Sequence, residues 1–267
     1  GFTKLEISQR IEHLLADGMT EQMLRQEFRL CSTTQWSFDR AQKELSAEDI
    51  DDLITVCTYR PFDKRWTVFH RGVVTILRKE LMRHMFKHRN YALLATRGIG
   101  RQTFAHIFVA DGIVDRHAID NAGDSMFVFP LFVFPETRIE DSRHGRFEFE
   151  DRESRLANIS PSFLAQVTSL SGVNEPIPQN ILALIYGIVH APSYRSRYSQ
   201  FLATEFPRIP IPATPSLTQT AIRLGGDLMD LHLMKSSKLN DHVTTLVGSE
   251  GFQVGKVSYS DETVWID

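Results

Sequence analysis

The stretch Leu53-Ile-Thr-Val-Cys-Thr-Tyr59-Arg60-Pro61-Phe62-Asp63-Lys64-Arg65-Trp66-Thr67-Val68-Phe69-His70 decides how the rest of the chain is read. Leu53 to Tyr59 is apolar and β-branched, Pro61 interrupts it, and Arg65 to His70 resumes with Trp66, Val68 and His70 at alternate positions. Such residues suit a pleated, half-buried surface, and proline cannot donate to a ladder. The pattern predicts a strand, a bend and a second strand.

Upstream, the first 50 residues read as helical. Leu5, Ile7, Ile11, Leu14 and Leu15 recur at helical spacing, with Gly18 as a stop. A second helix is expected over Glu21 to Phe28, with Met23, Leu24 and Phe28 on one side. Ser46-Ala-Glu-Asp49 has the hydroxyl cap and early acidic residues of a further helix start.

Downstream, Leu77 to His88 reads as a helix with Leu77, Leu81, Met85 and Phe86 on one face and Arg78, Lys79, Arg83 and Lys87 around the other. Short strands are expected at Ala92–Thr96, His106–Ala110 and Met126–Phe134, separated by turn formers around Gly98-Ile-Gly100, Asp111-Gly112 and Asn121-Ala-Gly123-Asp124. The last of these is apolar on both faces, so at least part of it is expected to be a buried central strand. Thr137 to Asn158, dense in both charges, reads as a long exposed loop.

Helices follow at Gln179–His190, Ser193–Thr204 and Leu217–Met234, with Phe206-Pro-Arg-Ile-Pro-Ile-Pro212 held extended between the last two by its alternate prolines. Phe252–Ser258 and Thr263–Ile266 form an expected terminal hairpin. The fold class read from this order is α+β: a mixed β-sheet core with an N-terminal helical layer and a C-terminal helical segment. Residues 1–50 form the helical layer, 51–178 a mainly β region with a basic face, and 179–267 the helical segment with its connector and hairpin.

The 267 residues are 42% hydrophobic and 24% charged, enough to bury a core. No apolar run reaches the roughly 18 residues of a membrane span. Cys31 and Cys57 are the only cysteines, which excludes a disulfide scaffold or a four-thiolate zinc site within the chain and makes the reducing cytoplasm the expected location. The net charge of −3 argues against a non-specific nucleic-acid coat. It hides an asymmetry, however. Between Thr58 and Arg101 stand eleven cations (Arg60, Lys64, Arg65, Arg71, Arg78, Lys79, Arg83, Lys87, Arg89, Arg97 and Arg101) against Asp63 and Glu80, so that stretch carries +9 and the remainder −12. Such separation suits a face for a polyanion.

Several catalytic patterns are missing. The chain has no phosphate-cradling Gly-x-x-x-x-Gly-Lys-Ser/Thr, no Asn/Asp-Pro-Pro-Tyr loop of amino-group DNA methyltransferases, no lysine preceded two positions earlier by an acid, and no Gly-x-Ser-x-Gly elbow. Gly98-Ile-Gly100 and Leu224-Gly-Gly226 lack a dinucleotide-site context and read as turns or helix contacts. His84 and His88 have zinc-compatible spacing but no third ligand, so they read as partly exposed histidines on a basic helix. His190 and His232 fit core positions, and both cysteines fit buried small side chains. No metal site and no complete active site is expected.

Tyr59-Arg-Pro-Phe-Asp63 followed by Arg65-Trp66 resembles a hallmark of the C-terminal specificity region of Type ISP restriction–modification enzymes and related Type II fusion methyltransferases. Further blocks similar to that family follow in order: Phe129-Pro-Leu-Phe132, Phe134-Pro135, Asn158-Ile-Ser160, Ile185-Tyr186 and Val189-His-Ala-Pro-Ser-Tyr-Arg195. Arg197-Tyr198, Phe201-Leu202, Phe206-Pro-Arg-Ile-Pro210, Leu224-Gly and Leu231-His-Leu233 continue the series, which spans about Trp36 to Ile266. Val189-His190-Ala191 and Phe132-Val133-Phe134 depart mildly from the familiar pattern.

The resemblance implies a non-catalytic target-recognition domain for an adenine-specific (N6) methyltransferase. Its partners would be double-stranded DNA and the methyltransferase, ATPase/helicase and nuclease domains of one parent polypeptide, with no membrane. No cofactor is expected in this chain; S-adenosylmethionine belongs to the methyltransferase domain. The family's continuation past Val264-Trp-Ile266 implies a fragment, with Gly1 as a cloning remnant.

Within that frame, Arg97, Arg101 and Gln102, and then Asp115, Arg116, His117 and Asn121, are the candidates for base edges, because forked guanidinium and amide groups match base donor–acceptor pairs. Arg78, Lys79, Arg83, Lys87 and Arg89 are candidates for phosphates. Lys64 joins them. For Arg60 and Arg65 a structural pairing with Asp63 and a sugar–phosphate contact both stand open. Arg195 and Arg197 read as intradomain salt bridges, and Tyr186, Tyr194 and Tyr198 as packing residues whose hydroxyls reach a partner. A coupling module that docks on neighbouring domains is the alternative; a degenerate hydrolase would need converging His and carboxylate groups.

Overall fold

The computed structural model describes residues 1–30, 36–97, 107–119, 126–135, 155–171, 177–242, 257–260 and 263–266. Helices α1 (Lys4–Leu15), α2 (Glu21–Phe28), α3 (Phe38–Leu45) and α4 (Ile50–Leu53) open the chain. Thr3, Thr20 and Ser37 cap the first three, each side chain accepting from a backbone N–H three residues on. Ile7, Ile11 and Leu14 of α1 are buried, whereas Leu5 is 67% exposed and stands off the stripe. Ser46 does not start a helix as expected. It follows α3, and its hydroxyl donates to the Lys43 carbonyl; α4 starts after Asp49, whose side chain makes no capping hydrogen bond.

Strands β1 (Ile54–Arg60) and β2 (Asp63–Val68) pair antiparallel from Ile54↔Val68 to Thr58↔Lys64, with a slip before Arg60↔Asp63. Leu53, Ile54 and Val68 join Ile7, Leu14, Leu24 and Phe38 in one core, so the helical layer is packed on this hairpin.

The expected helix Leu77–His88 shrinks to one turn, α5 (Lys79–Met82), between Arg78 at φ 46° and Lys87 at φ 58°. Met82, His84, Met85 and Phe86 are all buried, a pattern no single helical stripe accommodates. A buried asparagine completes the break. Asn90 donates to the His84 and Phe132 carbonyls and accepts from the Tyr91 and Phe132 N–H groups.

β3 (Ala92–Thr96), β4 (Ile107–Ala110), β5 (Ile113–Val114), β6 (Met126–Pro130), β7 (Phe132–Val133) and β8 (Leu156–Ala157) complete this region. Their orders are β4-β3-β6, β2-β1-β5 and β7-β8. β3 is the central strand, pairing antiparallel with both neighbours. The Met126–Phe134 run is therefore not a buried central strand: among the described residues β6 pairs only with β3, and Phe127 and Phe129 alternate outward at 38% and 41% exposure. Of the stretch expected to form a long exposed loop, residues 137–154 lie outside the described residues.

Helix α6 (Pro161–Ser171), which falls in the stretch read as mainly β, precedes α7 (Pro178–His190), α8 (Pro192–Arg197), α9 (Ser199–Leu202) and α10 (Pro215–His232). Gly187 and Gly225 bring α7 and α10 together. A Cβ on Gly187 would meet the Ala221 carbonyl oxygen at 2.6 Å, and one on Gly225 would overlap that of Ala183. Residues 1–236 form one compact unit and 237–267 another. The second holds a 3-10 turn at Ser237–Asn240 and an antiparallel hairpin of β9 (Val257–Ser260) and β10 (Thr263–Ile266). The α+β expectation holds.

Candidate nucleic-acid interface

β5 runs parallel to β1, with Cys57↔Ile113 and Thr58↔Val114 in register, and so carries Asp115, Arg116 and His117 to the β1–β2 hairpin. The Asp115 N–H donates to the Thr58 carbonyl at 3.0 Å. Arg60 Nη1 donates to Asp115 Oδ1 at 2.9 Å, and the same oxygen accepts from the His117 N–H at 3.0 Å. Arg65 grips Asp63 through Nε and Nη2, the latter at 2.8 Å, and these hydrogen bonds push its pKa up. Both guanidiniums lie 4.1 Å from the centroid of the Tyr59 ring. The two motif arginines are thus fixed by stacking and by carboxylates, which orients them without removing them from solvent.

Lys64 pairs with Asp111 at 2.7 Å, and Lys235 takes the other carboxylate oxygen at 2.8 Å. Burial pushes Asp111 up, but the two lysine hydrogen bonds outweigh it and hold the carboxyl below its usual range. A cleft of about 480 Å³ opens beside the hairpin, with Arg65, Asp115 and Arg116 on its lining together with Leu77 and Met82.

Two of the other candidates are engaged elsewhere. Arg83 donates to the Phe134 carbonyl at 2.7 Å, and Lys87 pairs with Asp52 at 3.0 Å, so these two reach toward β7 and α4. Arg78, Lys79 and Arg89 are exposed, as is Arg97, which follows the last residue of β3. Arg101, Gln102 and Asn121 lie outside the described residues.

His84 is buried rather than partly exposed, and it lies beyond the end of α5. Its Nδ1 accepts from the Phe134 N–H at 3.1 Å, while the His88 ring stacks on Phe134 with centroids 3.6 Å apart. Burial, followed by the charge of Arg83, lowers both pKa values. Among the described residues no three metal-binding side chains gather, and no helix is long and apolar enough to cross a membrane. Arg195 donates its Nε to the Val189 carbonyl at 2.7 Å; the last carbonyls of α7 lack helical partners. Tyr186 OH meets His232 Nδ1 at 2.6 Å, and Tyr194 OH donates to the Arg208 carbonyl.

Sequence reasoning missed Phe62. It sits at the hairpin tip with φ 65° and is 58% exposed. Its ring stands edge-on to Phe108 and His232, at centroid distances of 5.4 and 5.7 Å. The three rings wall a hollow of about 310 Å³ that Arg60 and Lys64 also line. The sequence carried no signal for it: a proline at the second turn position suits both common turn types, phenylalanine at the third points to type I, and the positive φ of Phe62 belongs to type II. A bulky residue there costs on the order of 1–3 kcal/mol.

No curated protein matches this chain. Solved structures share its fold. A cryo-EM DrdV–DNA complex aligns at 16% identity with a TM-score of 0.56, over 86% of this chain and 20% of that one. The ATP-dependent Type ISP restriction–modification enzyme LlaBIII bound to DNA aligns at 17% identity with a TM-score of 0.59, over 87% of this chain and 15% of that one. The chain thus spans a fifth or less of either relative. The family model of the Type ISP C-terminal specificity domain matches residues 1–267, from the helical layer through the Arg60–Asp63 hairpin to the terminal strands, and the chain belongs to that family.

Proposed function

We propose that this chain is the target-recognition domain of a restriction–modification enzyme. It reads double-stranded DNA for an adenine-specific methyltransferase, which holds S-adenosylmethionine in another part of the same parent polypeptide, alongside ATPase and nuclease domains. The observation that carries this reading is the full-length match to a specificity-domain family. The DrdV and LlaBIII structures of like fold were both solved with DNA. In this reading Arg97, Arg101, Gln102, Asp115, Arg116, His117 and Asn121 meet base edges, and Arg60, Lys64, Arg65, Arg78, Lys79, Arg83, Lys87 and Arg89 meet phosphates. The hairpin supports it locally, since Arg60, Lys64, Arg65 and Arg116 are held on adjoining strands and loops. Duplex binding measured across a salt series tests the reading. Affinity should fall steeply as salt displaces the phosphate contacts, and binding indifferent to salt would refute it.

A coupling role for the N-terminal layer has its own support. Phe2, Leu5 and Met23 are 71%, 67% and 52% exposed, apolar side chains that a neighbouring domain could cover.

A further inference from the structure

The tip of the β1–β2 hairpin projects an aromatic ring from a backbone conformation that glycine adopts freely and phenylalanine does not. Pro61 fixes the approach to Phe62, and the cations on either side are themselves anchored, Arg60 to Asp115 and Lys64 to Asp111. Phe108 and His232 touch the ring edge-on, yet more than half of the residue remains open to solvent. The outcome is a stiff apolar projection between two positive charges.

We propose, on the reading of this chain as a duplex-binding domain, that Phe62 inserts as a wedge at a base step of DNA while Arg60 and Lys64 take the phosphates beside it. Apolar side chains of this size unstack base steps when a protein grips the backbone on both sides. The local charge has the right sign: Arg60, Lys64, Arg65, Arg116 and Lys235 outnumber Asp63, Asp111 and Asp115 around the hairpin. A protein-docking role fits less well. The centres of such interfaces are depleted of charge, whereas cations and carboxylates crowd the hairpin around Phe62.

The test compares the wild-type chain with Phe62→Gly and Phe62→Asn, two residues that tolerate the positive φ. The probe is a duplex selected by the wild type from a randomised pool, with 2-aminopurine walked through it. Both variants should melt within about 5 °C of wild type. Both should bind the duplex about 10- to 100-fold more weakly. One 2-aminopurine position should brighten with wild type and stay dark with either variant. Wild-type binding that both variants reproduce overturns the wedge alone. So does a collapse of melting temperature in both, which would make the ring a structural brace, or a loss confined to association with the methyltransferase part of the parent. A wild type that binds no duplex even at low salt overturns the DNA reading itself.

Discussion

Arg60 Nη1 and Asp115 Oδ1 meet at 2.9 Å although 55 positions separate them in the chain. The contact exists because β5 lies parallel to β1 and ends where the β1–β2 hairpin turns. Asp115 also accepts from the His117 N–H, so one carboxylate orients both a motif arginine and the segment that follows β5. The two side chains are 42% and 33% exposed, and an ion pair that wet contributes little to folding.

Asp115→Asn should therefore change the unfolding free energy by no more than about 1 kcal/mol in urea denaturation. The amide keeps an oxygen for His117 but cancels a negative charge beside Arg60. Non-specific duplex should then bind more tightly, by severalfold in fluorescence anisotropy at low salt. A stability loss above roughly 3 kcal/mol would instead mark the pair as part of the buried framework.

Elements with a clear period and strong punctuation were legible in the sequence. α2 and β3 coincide with their expected bounds, and α7 and α10 lie within a few residues of theirs, because capping residues, Pro and β-branched runs act locally. The Leu77–His88 helix failed because a distant partner decides it: Asn90 takes the His84 carbonyl and ties it to Phe132, 42 positions on, a choice no local pattern encodes. The same holds for the candidate site. The Arg65–Asp63 pair is two residues long and was among the readings left open, whereas the β1–β5 register joins Cys57 to Ile113 and carries no local signal.

Adjacent glycines in α10 should respond in opposite ways. A Cβ at Gly225 would overlap the Ala183 carbonyl across the α7–α10 crossing, while one at Gly226 meets nothing within 4 Å. Gly225→Ala should cost about 1–3 kcal/mol or more, since the helices must move apart. Gly226→Ala should stabilise by up to about 1 kcal/mol through helix propensity. Urea denaturation of the two variants decides it, and equal effects would mean that the crossing is looser than the backbone distances indicate.

Stability should fall as the solution is acidified below neutrality. Burial lowers His190 to about 4, and its Nδ1 lies 2.9 Å from the Tyr186 carbonyl. His70, His84, His88 and His232 shift downward as well, each chiefly through burial. A histidine whose folded pKa is depressed takes up its proton first in the unfolded chain. Its contribution is complete above about pH 6.5 and is lost as pH falls toward 4. For His190, partly exposed, the loss is roughly 1–2 kcal/mol. Melting temperature recorded from pH 7 to 4.5 should decline, and His190→Asn should flatten part of that decline. A wild-type profile level across this window would show that these rings are solvated in the folded chain.

The cations should separate into two kinds when DNA affinity is measured against salt. Arg89 is exposed, so Arg89→Ala should remove one phosphate contact and reduce the slope of log K against log salt by about 0.9. Lys87 already shares its charge with Asp52 at 3.0 Å, so Lys87→Ala should reduce the slope by less. Neither change should alter which sequence is preferred, because phosphates carry no base identity. Arg97, exposed at the end of β3, should behave differently: Arg97→Ala should relax discrimination at one base pair by about 1–3 kcal/mol while leaving the salt slope nearly unchanged. Anisotropy titrations on a selected duplex and its single-base variants separate the two behaviours. An Arg97 variant that lowers the slope and keeps the full base preference would move that side chain from the reading set to the phosphate set.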